Sequence, residues 1–301
     1  MSKSLRTEAL GEIAELAYLL YSARKFEPND PGYCLFIGSG CSLPTAPSST
    51  KLVDDLLEEM YPKIRPKDRR KIFKKTYEME IGAIDYPSLE VVSDAYKRKK
   101  GDEALLRFLK SNFSSIGKNS KGYEALCRLV KAGYFKLVFT TNLDTLIEDT
   151  FRIENLDFDL FNDLSDYSKR PSLYKPVVYK LHGSYDRVDP DLGWQQVQQL
   201  HPRKNLHLRH FFESNNFIFV GYSALDMDIF SSLVTVEPIV RDRLRIYSFT
   251  RSGKSENIKR LLMRYNSIRG NVALGNVSDG GTFFMTLTDE LKTVEEKAKN
   301  D

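Results

Sequence analysis

The 301-residue chain predicts an α/β fold, an open and doubly wound, mainly parallel sheet with a helical insertion. Two observations carry that expectation. Five short runs are apolar or β-branched throughout, as strands covered on both faces are, where a half-solvated sheet would alternate. Segments with apolar residues at helical spacing separate them, the pattern of parallel crossovers.

The first segment, MSKSLRTEALGEIAELAYLLYSARKF, carries an amphipathic pattern over Leu10 to Leu20, but Glu12, Glu15 and Ser22 interrupt it, so it does not read as a signal peptide. The predicted strands are Tyr33 to Ile37, Lys136 to Thr140, Val177 to Leu181, Phe217 to Val220 and Leu244 to Phe249. Helical patterns fall at Thr50 to Met60, Pro66 to Met79, Leu89 to Tyr96, Glu103 to Phe113, Tyr123 to Lys131, Leu143 to Phe151, Asp226 to Leu233 and Asn257 to Tyr265. Residues 60–122 therefore read as a helical insertion or cap, with Gly101 and the Ser-rich segment Ser111 to Ser120 as hinges. The expected organisation is a single domain over 1–301, with a sheet core at about 33–250 and a C-terminal helical and polar tail at about 251–301 that frays beyond Leu291.

Charged residues make up 29% of the chain, yet their signs nearly cancel at net +4, so no field marks it for direct nucleic-acid binding. Three cysteines cannot build a disulfide framework, and no segment reaches the ~20 apolar residues of a membrane helix. A cytoplasmic protein is expected. The basic clusters Lys67 to Lys75 and Lys97 to Lys100 read as solvated helix faces. His201, His207 and His210 lie close in sequence, but no carboxylate or thiolate completes a metal set, and no metal is expected.

The loop Gly38-Ser39-Gly40-Cys41-Ser42 follows the first strand, and Gly-x-Gly there lets backbone N–H groups approach a phosphate, as in Rossmann-like folds. Leu43 replaces the third glycine of the dinucleotide fingerprint, and no phosphate-loop lysine motif is present. The glycines can equally serve a tight turn alone. Other strands also end in polar groups: Thr141-Asn142-Leu143-Asp144, His182-Gly183-Ser184 and Gly221-Tyr222-Ser223. Asn142 could cap the following helix, with Asp144 in its first turn, and His182 could be an interior histidine. Because ligands bind at the carboxyl ends of parallel strands, the convergence favours a site.

Taken together, Gly-Ser-Gly-Cys-Ser at 38–42, Thr-Thr-Asn-Leu-Asp at 140–144, Lys-Leu-His-Gly-Ser at 180–184 and Val-Gly-Tyr-Ser with Asp226 and Asp228 at 220–228 resemble the sirtuin-like (silent information regulator two) domains in motif order. The likeness runs from about Tyr33 to Phe249 and is greater to the bacterial branch that hydrolyses NAD, often in antiviral defence, than to protein deacylases. Deacylases of this family carry a zinc ribbon of two Cys-x-x-Cys pairs, and three unpaired cysteines cannot supply its four thiolates. The chain departs from the family after Ser42, where Leu43-Pro44-Thr45-Ala46-Pro47 is compressed.

The resemblance implies NAD as substrate, with Gly38, Ser39, Gly40 and Ser42 on its pyrophosphate, Asp144 on the nicotinamide carboxamide, Gly221 and Ser223 on the adenosine side and Asp226 on a ribose hydroxyl. Asp228 reads more as a brace for the following helix. Cleavage of the nicotinamide–ribose bond releases a neutral leaving group and builds an oxocarbenium-like ribose, as in glycoside cleavage. Asn142 is expected to position ribose hydroxyls or water. His182, with an ordinary pKa near ~6.5, is expected to accept a proton at neutral pH. Amphipathic patterns at Leu10 to Leu20 and in the 60–122 insertion offer surfaces for self-association or for packing within the chain, and control by a HerA-type ATPase, an Argonaute-like protein or another sensor is a further implication of the resemblance. A non-catalytic NAD or ADP-ribose sensor, and a zinc-independent deacylase or ADP-ribosyltransferase, stay open as alternatives.

Overall fold

A computed structural model describes residues 3–26, 32–76, 87–114, 120–172, 174–186, 200–222, 226–234, 246–250, 272–276 and 280–300. In chain order the elements are α1 (Lys3–Phe26), β1 (Tyr33–Ile37), a 3₁₀ turn (Ser39–Cys41), α2 (Ser49–Met60), α3 (Pro66–Thr76), α4 (Leu89–Lys100), α5 (Asp102–Phe113), α6 (Lys121–Lys131) and β2 (Leu137–Thr140). They continue with α7 (Leu146–Ile153), β3 (Asp159–Phe161), β4 (Val177–Lys180), α8 (Pro202–Ser214), β5 (Asn216–Val220), α9 (Met227–Val234), β6 (Ile246–Thr250), β7 (Val272–Asn276) and α10 (Gly280–Asn300).

Every strand pairing is parallel, and the sheet order is β3-β4-β2-β1-β5-β6-β7. The central strands β1, β2, β4 and β5 are mostly apolar because both faces are covered. Leu35, Val138, Val178 and Ile218 face an aliphatic core shared with α1, α2, α6 and α10. The opposite face is an aromatic row: Phe36, Phe139, Tyr179 and Phe219 sit side by side in register. Phe139 stacks on Tyr179 with centroids 4.7 Å apart, and Phe36 meets Phe219 at 5.2 Å.

Register also levels the strand ends. Ile37 pairs with both Thr140 and Val220, and Thr140 pairs with Lys180, so four loops leave the sheet at one height. The chain fills the β2 side of β1 first and then crosses to the β5 side, which makes the β1–β5 boundary the crevice where such sheets bind ligands.

All five predicted strands are present, with ends shifted by one or two residues; residues 244–245 lie outside the described set. Two strands escape sequence reading. β3 is only three residues long and opens on Asp159, and β7 carries Gly275, so neither shows a sustained apolar run. The helix expected from Leu143 starts at Leu146 because Asp144 accepts the Leu146 N–H and holds the chain outside the helix until then. The segment expected to fray is instead the end of α10, which runs unbroken to Asn300. Its Phe283, Phe284, Leu287 and Leu291 are buried, and Glu295 accepts from Tyr134 Oη and pairs with Arg24. Polar composition hid an amphipathic helix. The helix expected at Asn257 to Tyr265 lies outside the described residues, and Met79 and Ser115 to Lys118 do too.

The basic clusters are partly woven in. Arg69 is buried, donating to Ile64 O and Glu58, and Arg70 makes a two-point contact with Asp54. Gly101, at φ 91°, turns the chain sharply from α4 into α5.

Helices α6 and α10 approach through glycine: a Cβ on Gly122 would stand 2.3 Å from Gly281 Cα. Alanine normally improves a helix interior by about 1 kcal/mol over glycine. We expect Gly122→Ala to destabilise the protein by about 1–3 kcal/mol in urea unfolding, because the added methyl meets backbone that cannot rotate away. A gain in stability would mean that α10 shifts freely.

Candidate active site

Gly38, Gly40 and Gly221 make the floor of the crevice. A Cβ on Gly38 would lie 2.5 Å from Gly221 O, one on Gly40 2.9 Å from the same atom, and one on Gly221 2.8 Å from Cys41 N. Gly221 also takes φ 61°, a region that side chains disfavour. The missing side chains thus admit a neighbouring backbone. Gly38 N donates to Val220 O, Gly40 N to Gly221 O, Cys41 N to Gly38 O and Ser42 N to Ser39 O, so four of these loop amides are bonded within the protein.

Over this floor lies an open cavity of about 770 Å³, part of it continuous with solvent, lined by residues from every strand end at the crevice. Ser39, Asn142, Asp144, His182, Gly221 and Asp226 line it. Gly38, Gly40 and Ser42 lie behind its wall, and Ser223 is outside the described residues. Pro47, from the segment that departs from the family pattern, lines it as well. The first turn of α4 closes the far side through Ser88, Leu89 and Glu90.

Asn142 is oriented by what its amide nitrogen meets. Nδ2 donates to Gly38 O at 3.2 Å and to Ser42 Oγ at 3.1 Å, which fixes the amide and turns Oδ1 away from these acceptors. Oδ1 is buried and has no partner within the protein. An unpaired buried carbonyl costs about 1–3 kcal/mol, a penalty relieved when a ligand donates to it.

Ser42 is a junction. Its hydroxyl donates to Asp144 Oδ2 at 2.7 Å and stands 2.9 Å from Tyr123 Oη. The single Ser42 proton is thereby used, so Tyr123 donates to Ser42. Burial first, and then the Asp144 charge, push the Tyr123 hydroxyl well above its ordinary pKa and keep that donor protonated. Asp144 spends Oδ1 on Leu146 N, the first amide of α7, and Asn142, which sequence alone leaves open as the cap, stands apart from that helix start.

A buried ion pair supports this wall from beneath. Lys180 Nζ bonds Glu148 Oε1 at 2.8 Å and also donates to Asp144 O, with both charged side chains almost wholly enclosed. Burial raises the Glu148 carboxyl despite Lys180, so desolvation outweighs the partner's attraction.

His182 sits where β4 ends, followed by Gly183 at φ 78°. Its Nε2 meets Asp228 Oδ2 at 3.0 Å, and its Nδ1 faces Glu90 Oε1 at 3.9 Å. Burial opposes a charge on the imidazole, but Asp228, then Asp226 and Glu90, overcome that and raise it to about 10. His182 is therefore protonated at neutral pH in the free site, unlike the neutral base its ordinary pKa suggests. Asp226 moves up as well, by burial first and then by the charge and hydrogen bond of Glu90. Glu90, His182 and Asp226 present atoms within 4.8 Å of one another, near enough to surround a small cation. Two of the other histidines are structural, since His201 caps α8 by accepting from Arg203 N and His207 bonds Tyr167 O among the aromatic rings, while His210 is exposed beside Phe211.

Glu90 and Tyr123 are the residues that sequence reading missed. Each sits inside an ordinary helical pattern, where nothing distinguishes it from a surface acid or a core aromatic. Asp228, read mainly as a brace for its own helix, is in fact the partner of His182.

Two outcomes are expected. Lys180→Met should cost about 3–5 kcal/mol in chemical denaturation because it strands Glu148, and Lys180→Met with Glu148→Leu should recover most of that. The second concerns pH. A histidine raised in the fold stabilises it fully below its unfolded value near ~6.5 and loses that contribution as pH rises through about 10. The raised Asp226 works in the same direction, lowering stability as pH rises from its unfolded value of 3.8 to about 8. Stability should therefore fall from about pH 4 to about pH 10, and His182→Gln should flatten the upper part of that fall. An equal slope in both proteins would contradict the assignment.

Residues 136–268 match the family described as the SIR2-like domain. No curated protein sequence matches the chain. Among solved structures, it is similar at a TM-score of 0.50 to one reported under the mechanism and regulation of Sir2 enzymes, with 14% identity over 95% of this chain and 98% of that one. It is similar to a Sir2 homologue in complex with NAD at TM-score 0.50 and 14% identity, covering 87% of this chain and 90% of the other. A mutant Sir2 homologue with ADP-ribose gives TM-score 0.52 and 13% identity over 92% and 97% of the two chains. Over residues 136–268 the chain thus resembles the SIR2-like domain, and its strand order and crevice give it the Rossmann-like fold of the Sir2 structures.

Proposed function

We propose that this protein hydrolyses NAD at the nicotinamide–ribose bond, releasing nicotinamide and ADP-ribose. The observation that carries the reading is the unpartnered, buried Asn142 Oδ1 on the cavity wall, beside His182 and Asp144. A carbonyl held in that way suits a ribose hydroxyl or a water as donor, and it lies at the crevice where nucleotides bind to sheets of this topology. The NAD and ADP-ribose complexes of the similar structures support NAD as the ligand.

In this reading NAD lies along the strand ends. Ser39, with the loop behind it that holds Gly38, Gly40 and Ser42, takes the pyrophosphate side. Gly221, with Ser223 beyond it, takes the adenosine side, and Asp226 is near enough to His182 to reach a ribose hydroxyl. Asp144 orients the carboxamide of the leaving nicotinamide. Asn142 aligns the ribose or the attacking water, and His182, through the Nδ1 not used by Asp228, hydrogen-bonds the same group. Acidic groups around that point favour a ribose on which positive charge develops as the glycosidic bond opens. A role as the NAD-depleting effector of an antiviral defence system, in an assembly with a sensor partner, is the biological setting that the sequence resemblance supports.

The test is to incubate the purified protein, in its active assembly, with NAD and follow nicotinamide and ADP-ribose by chromatography. Asn142→Ala and His182→Ala should each slow release by about 10²- to 10⁴-fold with the fold intact. Release by the unmutated protein no faster than by His182→Ala sinks the hydrolase reading.

A further inference from the structure

Glu90 belongs to none of the motifs at the strand ends. It stands in the first turn of α4, whose Ser88 cap accepts from Val91 N, and that helix lies between β1 and β2 in the chain. It nevertheless lines the cavity, is 6% exposed, and directs Oε1 toward His182 Nδ1. The 3.9 Å between these atoms is too long for a hydrogen bond, yet one oxygen at about 2.8 Å from each fits across it.

Nε2 of His182 is already committed to Asp228, so the imidazole is fixed in orientation and its Nδ1 is the atom left for the cavity. A doubly protonated ring donates through both nitrogens and accepts through neither. The group able to take a proton from an oxygen at Nδ1 is thus the carboxylate on its other side. Asn142, whose buried Oδ1 has no partner within the protein, lines the same cavity.

We propose that Glu90 is a catalytic residue of this site: with His182 Nδ1 it holds the attacking water, and its carboxylate takes the proton as water adds to the ribose. This rests on the hydrolase reading and adds to it the proton acceptor. The step balances. The electron pair of the C1′–N bond leaves with nicotinamide, which becomes neutral, and the water oxygen bonds C1′. One water proton passes to Glu90 and then to solvent, giving ADP-ribose. Asp228 acts as a positioning residue through His182. Asp226, hydrogen-bonded to Glu90, keeps its carboxyl aligned.

The experiment compares unmutated protein, Glu90→Gln and Glu90→Ala, each in the active assembly, by nicotinamide release and by thermal melting. Glu90→Gln preserves shape and should lower kcat by about 10²- to 10⁴-fold while KM stays within about threefold. Sodium formate, a small external carboxylate, should restore Glu90→Ala by about tenfold or more, a response that a merely structural role would not produce. Unchanged kcat in Glu90→Gln, with the unmutated protein active, overturns this proposal and leaves the hydrolase reading standing. So does failure of formate to rescue a folded Glu90→Ala. Activity lost in EDTA and restored by Mn²⁺ also overturns it, since a metal rather than a bare carboxylate would then handle the water. No release from the unmutated protein removes the hydrolase reading, and this proposal goes with it.

Discussion

Backbone meeting backbone at the β1–β5 boundary is the constraint on which the rest of the site depends. Gly38 and Gly40 from one strand end and Gly221 from the other pack closer than any Cβ permits. Gly280, at the start of α10, presses on Cys41 in the same way, with a hypothetical Cβ 2.2 Å from its Sγ. The crevice floor therefore has almost no freedom to shift. Asn142 is tied to this floor through Gly38 O, and Thr140 through Ile37 O at 2.8 Å, so the β2 loop inherits its position from the glycine contact.

From that floor the site rises as two polar systems of different character. One is a hydrogen-bonded junction: Ser42 bridges Asn142, Tyr123 and Asp144, and each bond removes an alternative orientation. The other is charged and crowded: three acids surround His182, and their charges hold the imidazole protonated against the burial that opposes it. The first system suits geometry, holding one carbonyl ready for a donor. The second suits charge, gathering three carboxyl groups around one imidazole. A site that divides these tasks can keep Asn142 rigid while protons move around His182.

The charged system is assembled from three separate parts of the chain. His182 comes from the end of β4, Asp226 and Asp228 from the start of α9, and Glu90 from the helices between β1 and β2. The insertion is thus more than a cover. Its helix α4 packs on α2, which β1 leads into, so the acid it contributes is held against the same sheet that carries the histidine. Desolvation by this cover is what turns ordinary side chains into strongly shifted ones.

Local patterning determined the sheet and the strand-end chemistry. Uninterrupted apolar runs such as Tyr33–Ile37 and Phe217–Val220 mean strands buried on two faces, and polar residues placed directly after them fall at the carboxyl ends of a parallel sheet. Asn142, Asp144 and His182 were legible for that reason. Short or glycine-bearing edge strands and the amphipathic end of α10 were not, because their signals are weak in composition and arise only from packing. Tertiary structure alone decided that Glu90, far from these motifs in sequence, faces His182, that Asp228 is bonded to it, and that the loop glycines admit Gly221. It decided the charge state of His182 as well, since that follows from which acids surround the ring and how little water reaches them, and neither can be read along one strand.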